Sequence, residues 1–441
     1  MKLSIQKIHS VQSALKPGFA ISCLLMVSAF AGPVPAPAPS ISDSPPESFW
    51  TQKYMLGDWG GERTRLEQKG ITFYGEYRND FLTNVTGTGH DHSTNFGRFR
   101  LNLDIDFKKL ADFDGEFFFS AIYQYGGNLS GQYLDVHTLT SSIAGNESAR
   151  IDQLWYQQGL FDNRLKIKIG QVAAVNEFGA TDFFDILFND ELGYSPNANF
   201  NVNQPFSPAG KPGVILTLDL RDLTPGLYLK GGAFTAIADP YHPDTHGVDY
   251  GDDFNYGAAF AAEIGYNEQH TSYAGVYKLG FNYSNQHNFA NIRTGQEYTG
   301  NMNGYLTVEK TVYHPMGDKG NVDTNRGLDL LFQMFGEPAD RNPVDFEATF
   351  GGRYTGLIPN RPNDKVGFGL IYSHISNVKS LASEDAGGPS LNGEFTTELD
   401  YQVQITPWLM IQPDIQAIFN PNGESGRSSI LVLGLRSIIV F

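Results

Sequence analysis

A single cysteine, Cys23, stands in 441 residues, and its surroundings mark it for removal with an export leader. Lys2, Lys7 and Lys16 precede an apolar run over 19–30, and Ala29-Phe30-Ala31 offers an A-x-A cleavage site. That run is shorter than the roughly 20 residues a spanning helix needs. Residues 1–31 are therefore expected to be a signal peptide cleaved after Ala31. The mature chain then lacks a disulfide, a thiolate metal site and a cysteine nucleophile.

Long apolar runs are missing as well. Beyond the leader no stretch of about 18 apolar residues occurs, which excludes spanning by helices. Catalytic signatures are equally scarce: the sequence has no G-x-S-x-G, no H-E-x-x-H, no Walker loop and no paired metal-ligand spacing, and its ten histidines are scattered. No enzyme activity, metal or cofactor is expected. The stretch Asp323-Thr324-Asn325-Arg326-Gly327 lacks the closing glutamate of a calcium loop and reads as a turn. Positive charge is in short supply, with 31 Lys and Arg against 48 Asp and Glu. The net charge of −17 becomes −20 once the three leader lysines are gone, which rules out nucleic acid as a partner.

What the chain does have is aromatics at 13%, including 22 Tyr and 32 Phe, together with 48 Gly and a mean hydropathy of −0.29. Short strands, turns and aromatic girdles suit that mixture better than helices. Residues 32–48 alternate proline with small residues, as in Pro35-Ala36-Pro37-Ala38-Pro39, and read as an extended linker. Residues 49–70 form an N-terminal periplasmic helical segment, with Asp58 as N-cap, Trp59 and Leu66 on one face and Gly70 as the stop.

From Ile71 the period changes to two. Phe99, Leu101, Leu103, Ile105 and Phe107 alternate with Arg100, Asn102, Asp104 and Asp106; the same rhythm runs through 165–169, 277–284 and 398–405. A soluble sandwich alternates too, so connection lengths must decide. Short connections at 108–112, 161–163, 222–225, 267–271 and 406–407 separate mostly longer ones, such as 126–149, 235–254 and 377–393. Short periplasmic turns alternating with long external loops, on about 16 strands, describe a bacterial barrel. The fold class expected is all-β: a closed antiparallel transmembrane β-barrel over 71–441, preceded by a short periplasmic helix. Its last strand ends on Phe441, where exported barrels carry the signal for the barrel-assembly machinery; Leu431, Leu433, Leu435 and Ile439 face lipid, and Gly434 and Arg436 face inward.

The long insertion at about 172–212 is expected to fold into the lumen as a constriction loop. It carries Asn176, Glu177, Phe178, Phe183, Phe184 and Asp185. From the strands, Glu76, Arg78, Arg100, Asp104, Lys168, Gln171, Glu347, Arg353 and Glu398 are assigned to the inner wall. Carboxylates, arginines and amides bond sugar hydroxyls, while aromatic faces receive C–H patches. Mixed charge discriminates solutes by polarity without trapping them.

Several segments resemble the carbohydrate-selective porin family, commonly called the OprB family. They are Gly57-Asp58-Trp59-Gly60-Gly61-Glu62-Arg63-Thr64-Arg65-Leu66, Gly275-Val276-Tyr277-Lys278-Leu279-Gly280, the run from Gly356 to Asp364, and Thr406-Pro407-Trp408-Leu409 with Gln412-Pro413-Asp414 and Asn420-Pro421. The resemblance implies a 16-stranded outer-membrane barrel for passive diffusion of glucose-like monosaccharides, with Gln171, Asn176, Glu177 and Phe178 at the start of its constriction loop. Sugars and outer-membrane lipid are the partners expected, and a homo-oligomer is compatible with the sequence. A less selective, cation-preferring porin and, more distantly, a barrel-borne hydrolase are the competing readings.

Overall fold

The computed structural model describes residues 48–441 apart from 146, 182–185, 194–195, 237–245, 249, 251–252, 269–272 and 318–319. The expected leader with Cys23 and all but the last residue of the linker lie outside the described residues.

Sixteen antiparallel strands close on themselves, each paired with its sequence neighbour and the first with the last. They are β1 Ile71–Thr86, β2 Ser93–Asp106, β3 Gly115–Gly126, β4 Ser148–Leu160, β5 Leu165–Val172, β6 Lys211–Asp219, β7 Leu227–Thr235 and β8 Ala258–Glu268. The second half holds β9 Gly275–Ala290, β10 Glu297–Tyr313, β11 Gly327–Gly336, β12 Val344–Thr355, β13 Lys365–Ile375, β14 Gly393–Thr406, β15 Leu409–Phe419 and β16 Ile430–Val440. Among the described residues the helices are short: α1 Glu62–Gln68, α2 Phe107–Ala111, α3 Pro196–Asn201, α4 Asp253–Tyr256 and α5 Asn377–Asp385.

Alternation along each strand sorts side chains between lipid and lumen. On β1, Phe73 and Phe81 are exposed outward while Asp80, Leu82 and Asn84 are buried inward; on β16, Leu433 and Leu435 face out and Arg436 faces in. Closure leaves no unpaired strand edge, the condition for β structure in lipid. The turn at 407–408 is among the shortest and the loop at 173–210 is the longest, which places the first at the periplasmic end and the second at the extracellular end. The two-beat rhythm is uneven: the periplasmic connection 314–326 is longer than the external loops 87–92 and 291–296.

At the N-terminus the cap is shared, for Asp58 is the N-cap of a 3-10 turn, Trp59–Gly61, that runs straight into α1. α1 starts at Glu62 with Gly61 as N-cap, because Gly61 takes a left-handed φ of 96° that costs glycine little. Asp58 instead reaches across the preceding 3-10 turn, and its Oδ1 accepts from the Thr64 N–H at 2.8 Å and the Thr64 hydroxyl at 2.9 Å. The orphan donor is satisfied from farther away than the pattern suggested.

Two inward loops share the interior: that after β3, whose Leu129 and Leu134 pack with Leu82, Phe188, Ile418 and Val432, and the loop 173–210. Its Ala174, Phe178 and Ala198 pack with Trp155, Ile215, Phe234, Tyr305 and Phe335 of the wall; Ile186, Leu187 and Leu192 pack with Leu331 and Ile371. Gly369 on β13 makes that second contact fit: a Cβ there would lie 2.2 Å from Leu192 Cδ1.

Candidate functional site

The first turn of the inward loop sits between two walls of cations. Lys168 on β5 holds Glu177 Oε1 at 2.5 Å, and Lys230 on β7 holds Oε2 at 3.3 Å and the Glu177 carbonyl at 2.8 Å. The Lys168 ammonium also lies 3.7 Å from the centre of the Trp155 ring, an attractive cation–π placement. Burial would push the Glu177 carboxyl up, but Lys168 and Lys230 outweigh it and hold the group below the usual carboxylate range. The carboxylate therefore stays ionised at neutral pH.

Wall residues hold the loop's backbone on either side of Glu177. Glu263 on β8 accepts from the Gly179 N–H at 2.8 Å and from the Tyr228 and Tyr305 hydroxyls at 2.7 Å each. Lys278 on β9 donates to the Ala180 carbonyl. Below this arch a cavity of about 980 Å³ opens toward the periplasmic turns, lined by Lys166, Asn176, Glu177, Tyr228, Lys230 and Lys278 among others. Asn176 and Glu177 thus face the same water-filled space as three lysines.

On the inner face of β1, Arg78 pairs with Glu76 at 3.1 Å and the Tyr74 hydroxyl donates to Glu76 at 2.7 Å. Arg100, the register partner of Glu76, donates to the Ser207 hydroxyl at 3.0 Å; Ser207 in turn donates to Asp152 at 2.8 Å. Arg100 therefore ties the far end of the loop to β2. Asp104 lies farther toward the periplasm on the same face of β2, half-buried.

Three of the expected wall residues face inward under cover of other protein groups. Glu398 is buried, and its carboxylate accepts the Phe188 N–H at 2.5 Å and the Asn189 N–H at 2.9 Å. Glu347 is buried against the Ser373 hydroxyl at 3.0 Å and the Asn197 amide at 3.3 Å. Gln171 is buried as well and donates to the carbonyls of Ile151 and Asp152 at 2.8 and 3.1 Å. Each faces inward as parity requires, but the loop or the wall backbone covers it. Arg353 pairs with Asp329 at 3.1 Å near the periplasmic ends of β11 and β12, away from Glu177. Phe183, Phe184 and Asp185 lie outside the described residues.

Lys230, Tyr228, Glu263 and Asp80 lie outside the expected set. Period two reaches the first two, since Leu227-Tyr228-Leu229-Lys230 alternates as cleanly as residues 165–169. Asp80 shares the parity of Glu76 and Arg78. Glu263 sits among alanines and glycine on β8, where no charge pattern points to it.

The sequence profile described as "Carbohydrate-selective porin, OprB family" matches residues 90–441. Porin B of Pseudomonas aeruginosa is 26% identical over 430 residues, covering 88% of this chain and 91% of that protein. A putative porin, QuiX, of Acinetobacter baylyi is 25% identical over 425 residues, with 88% and 93% covered. In three dimensions the high-pH structure of Pseudomonas putida OprB superposes with a TM-score of 0.80 at 24% identity, covering 90% of this chain and all of that one.

Proposed function

From its membership of the carbohydrate-selective porin, OprB, family, we propose that this outer-membrane barrel passes glucose-like monosaccharides into the periplasm by passive diffusion, without catalysis. The observation that carries the proposal is the Lys168–Glu177–Lys230 cluster over the Trp155 ring. Glu177 and Lys230 line the cavity, where they offer an acceptor and a donor to hydroxyls, and the buried Lys168 fixes the carboxylate before a solute arrives. A sugar exchanges its hydration for such groups at little net cost, so it passes without being trapped.

The cation-preferring reading has less support. The wall carboxylates Glu398 and Glu394 spend their oxygens on loop N–H groups, and the cavity lining balances Lys166, Arg221, Lys230 and Lys278 against Glu177, Asp219, Glu268 and Glu309. Conductance of single channels in planar bilayers, with and without millimolar glucose, tests the proposal, with flux of labelled sugar into proteoliposomes as the second readout. Current that ignores glucose counts against a sugar site. Arg100→Ala and Glu177→Ala should both alter sugar flux and leave heat-modifiable gel migration intact.

In the same reading, 1–31 is removed on export and 32–48 tethers the barrel. The final strand is what the barrel-assembly machinery engages. Phe441 supports that last step: it packs 5.5 Å from Phe99, and its N–H donates to the Gly75 carbonyl at 2.8 Å, so the terminal aromatic completes the seam.

A further inference from the structure

The periplasmic rim carries large apolar side chains that stand exposed among the described residues. Trp50 is 64% exposed, Leu56 58%, Phe49 48% and Trp59 44%, all within the segment that precedes α1. Single exposed hydrophobics are ordinary, whereas a run of them marks a surface that meets something.

Their position says what. Trp59 lies 6.0 Å from Phe73, which occupies a lipid-facing position on β1. Phe49 lies 4.9 Å and Trp50 6.5 Å from Trp408 in the β14–β15 turn, whose indole N–H donates to the Phe49 carbonyl at 2.9 Å. The segment thus continues the outward band of the barrel around its lower rim. Trp, with an apolar body and one polar atom, prefers the level of lipid headgroups. Lys53 within the segment and Lys69 just beyond α1 are exposed, beside the exposed Asp58 and Glu62, and supply charge of the sign that phosphates attract.

The segment is also held firmly enough to act as a fixed surface. Arg63 is buried, with its guanidinium 3.2 Å from the Tyr54 ring centre and 5.0 Å from that of Trp59, and it donates to the Phe73 carbonyl at 2.7 Å. The Met55 N–H donates to the Val440 carbonyl at 2.8 Å. One arginine and one backbone bond therefore fix the segment to β1 and β16, the two strands that close the barrel.

We propose that residues 49–59 form an interfacial anchor that lies in the periplasmic leaflet and binds phospholipid, its aromatic side chains below the phosphates and Lys53 and Lys69 beside them. This rests on the barrel's place in the membrane and is independent of which solute passes through it.

The test uses the full chain reconstituted in phospholipid vesicles. Two variants each keep one outer tryptophan: Trp50 alone, with Trp59, Trp155 and Trp408 changed to Phe, and Trp59 alone, made in the same way. Lipid brominated near the carbonyl end of its acyl chains should at least halve the emission of each, and aqueous iodide should have little effect, as expected for side chains about 5–10 Å into the interface. A second measurement leaves all four tryptophans in place: Leu56→Cys in a Cys23→Ser background, labelled with an environment-sensitive fluorophore, should emit to the blue and be quenched by the same lipid. Quenching by iodide without response to brominated lipid overturns the proposal. So does protection from both quenchers, which would mean that protein covers the patch.

Discussion

At Glu177 two ammonium groups share one carboxylate, so the cluster is net positive as it stands. Glu177→Gln removes the only anion from that triangle, and the reversal potential under a salt gradient should shift toward anion selectivity; an unchanged potential would mean that Glu177 lies off the ion path. The pH response follows from the same contacts. Because the carboxyl titrates below its ordinary range, the ion pairs are intact above that range and are lost only as pH falls through the depressed value. The part of the conductance that depends on this cluster should therefore change only beneath the usual carboxylate range. In Glu177→Gln that acid step should be missing, which recordings at stepped pH would reveal.

Among the elements, the loop 173–210 lies inside the barrel and lands on wall carboxylates. Glu398→Ala would leave the Phe188 and Asn189 N–H groups buried without acceptors, at about 1–3 kcal/mol for each. The expected result is a noisier channel of higher mean conductance, while the barrel itself keeps its heat-modifiable migration; a quiet channel of unchanged conductance would show that the apolar contacts of Ile186 and Leu192 suffice. A second landing point titrates. Glu337, at the extracellular end of β11, accepts from the Asn201 amide of α3 at 2.9 Å. Burial, aided by Glu347 and Asp345, pushes its carboxyl up to about 8. The folded protein thus keeps a proton that the unfolded chain releases near its ordinary value. Stability from this group is full below that value and declines as pH rises toward about 8. Melting temperatures across that window should fall less steeply in Glu337→Gln than in the parent protein.

This loop is also where the sequence stops being informative. Period two separates lumen from lipid on β1, β2, β5, β9, β14 and β16, because a strand's side chains have only two directions to take. Glu76 and Glu398 have the same chemistry and the same parity, yet one lines water and the other is buried under Phe188. The difference is set by the path of a segment some two hundred residues away in the chain, held by apolar contacts with β11 and β13. No local pattern encodes that path. Gly369 carries a trace of it, as a small residue on an inner face, but the same residue type also marks places where Tyr or Phe rings lie across a strand, as at Gly280 beneath Tyr305.

For the molecule as a whole the decisive event is closure, when β16 finds β1 across the entire length of the chain. The ladder supplies backbone bonds but is tolerant of sliding, and what pins this seam is a side-chain pair. Asp80 and Arg436 face each other in register, both fully buried. Arg436 Nε and Nη2 each donate to one Asp80 oxygen at 2.7 Å. The guanidinium also donates to the Leu187 carbonyl at 3.2 Å and stands 4.0 Å from the Phe188 ring centre, so the seam and the constriction loop share one residue. Breaking a buried pair by removing one partner costs about 3–5 kcal/mol, chiefly because the other charge is left uncompensated. Arg436→Ala should therefore lower the temperature at which the folded gel band converts to the unfolded one and should also loosen the loop, raising current noise. Asp80→Ala in the same chain removes the stranded carboxylate, so the double variant should recover much of the thermal loss. The current noise should persist, because the contacts to Leu187 and Phe188 are still missing. A double variant no more stable than Arg436→Ala would mean that the guanidinium acts through the loop alone and that the seam is held by its backbone ladder.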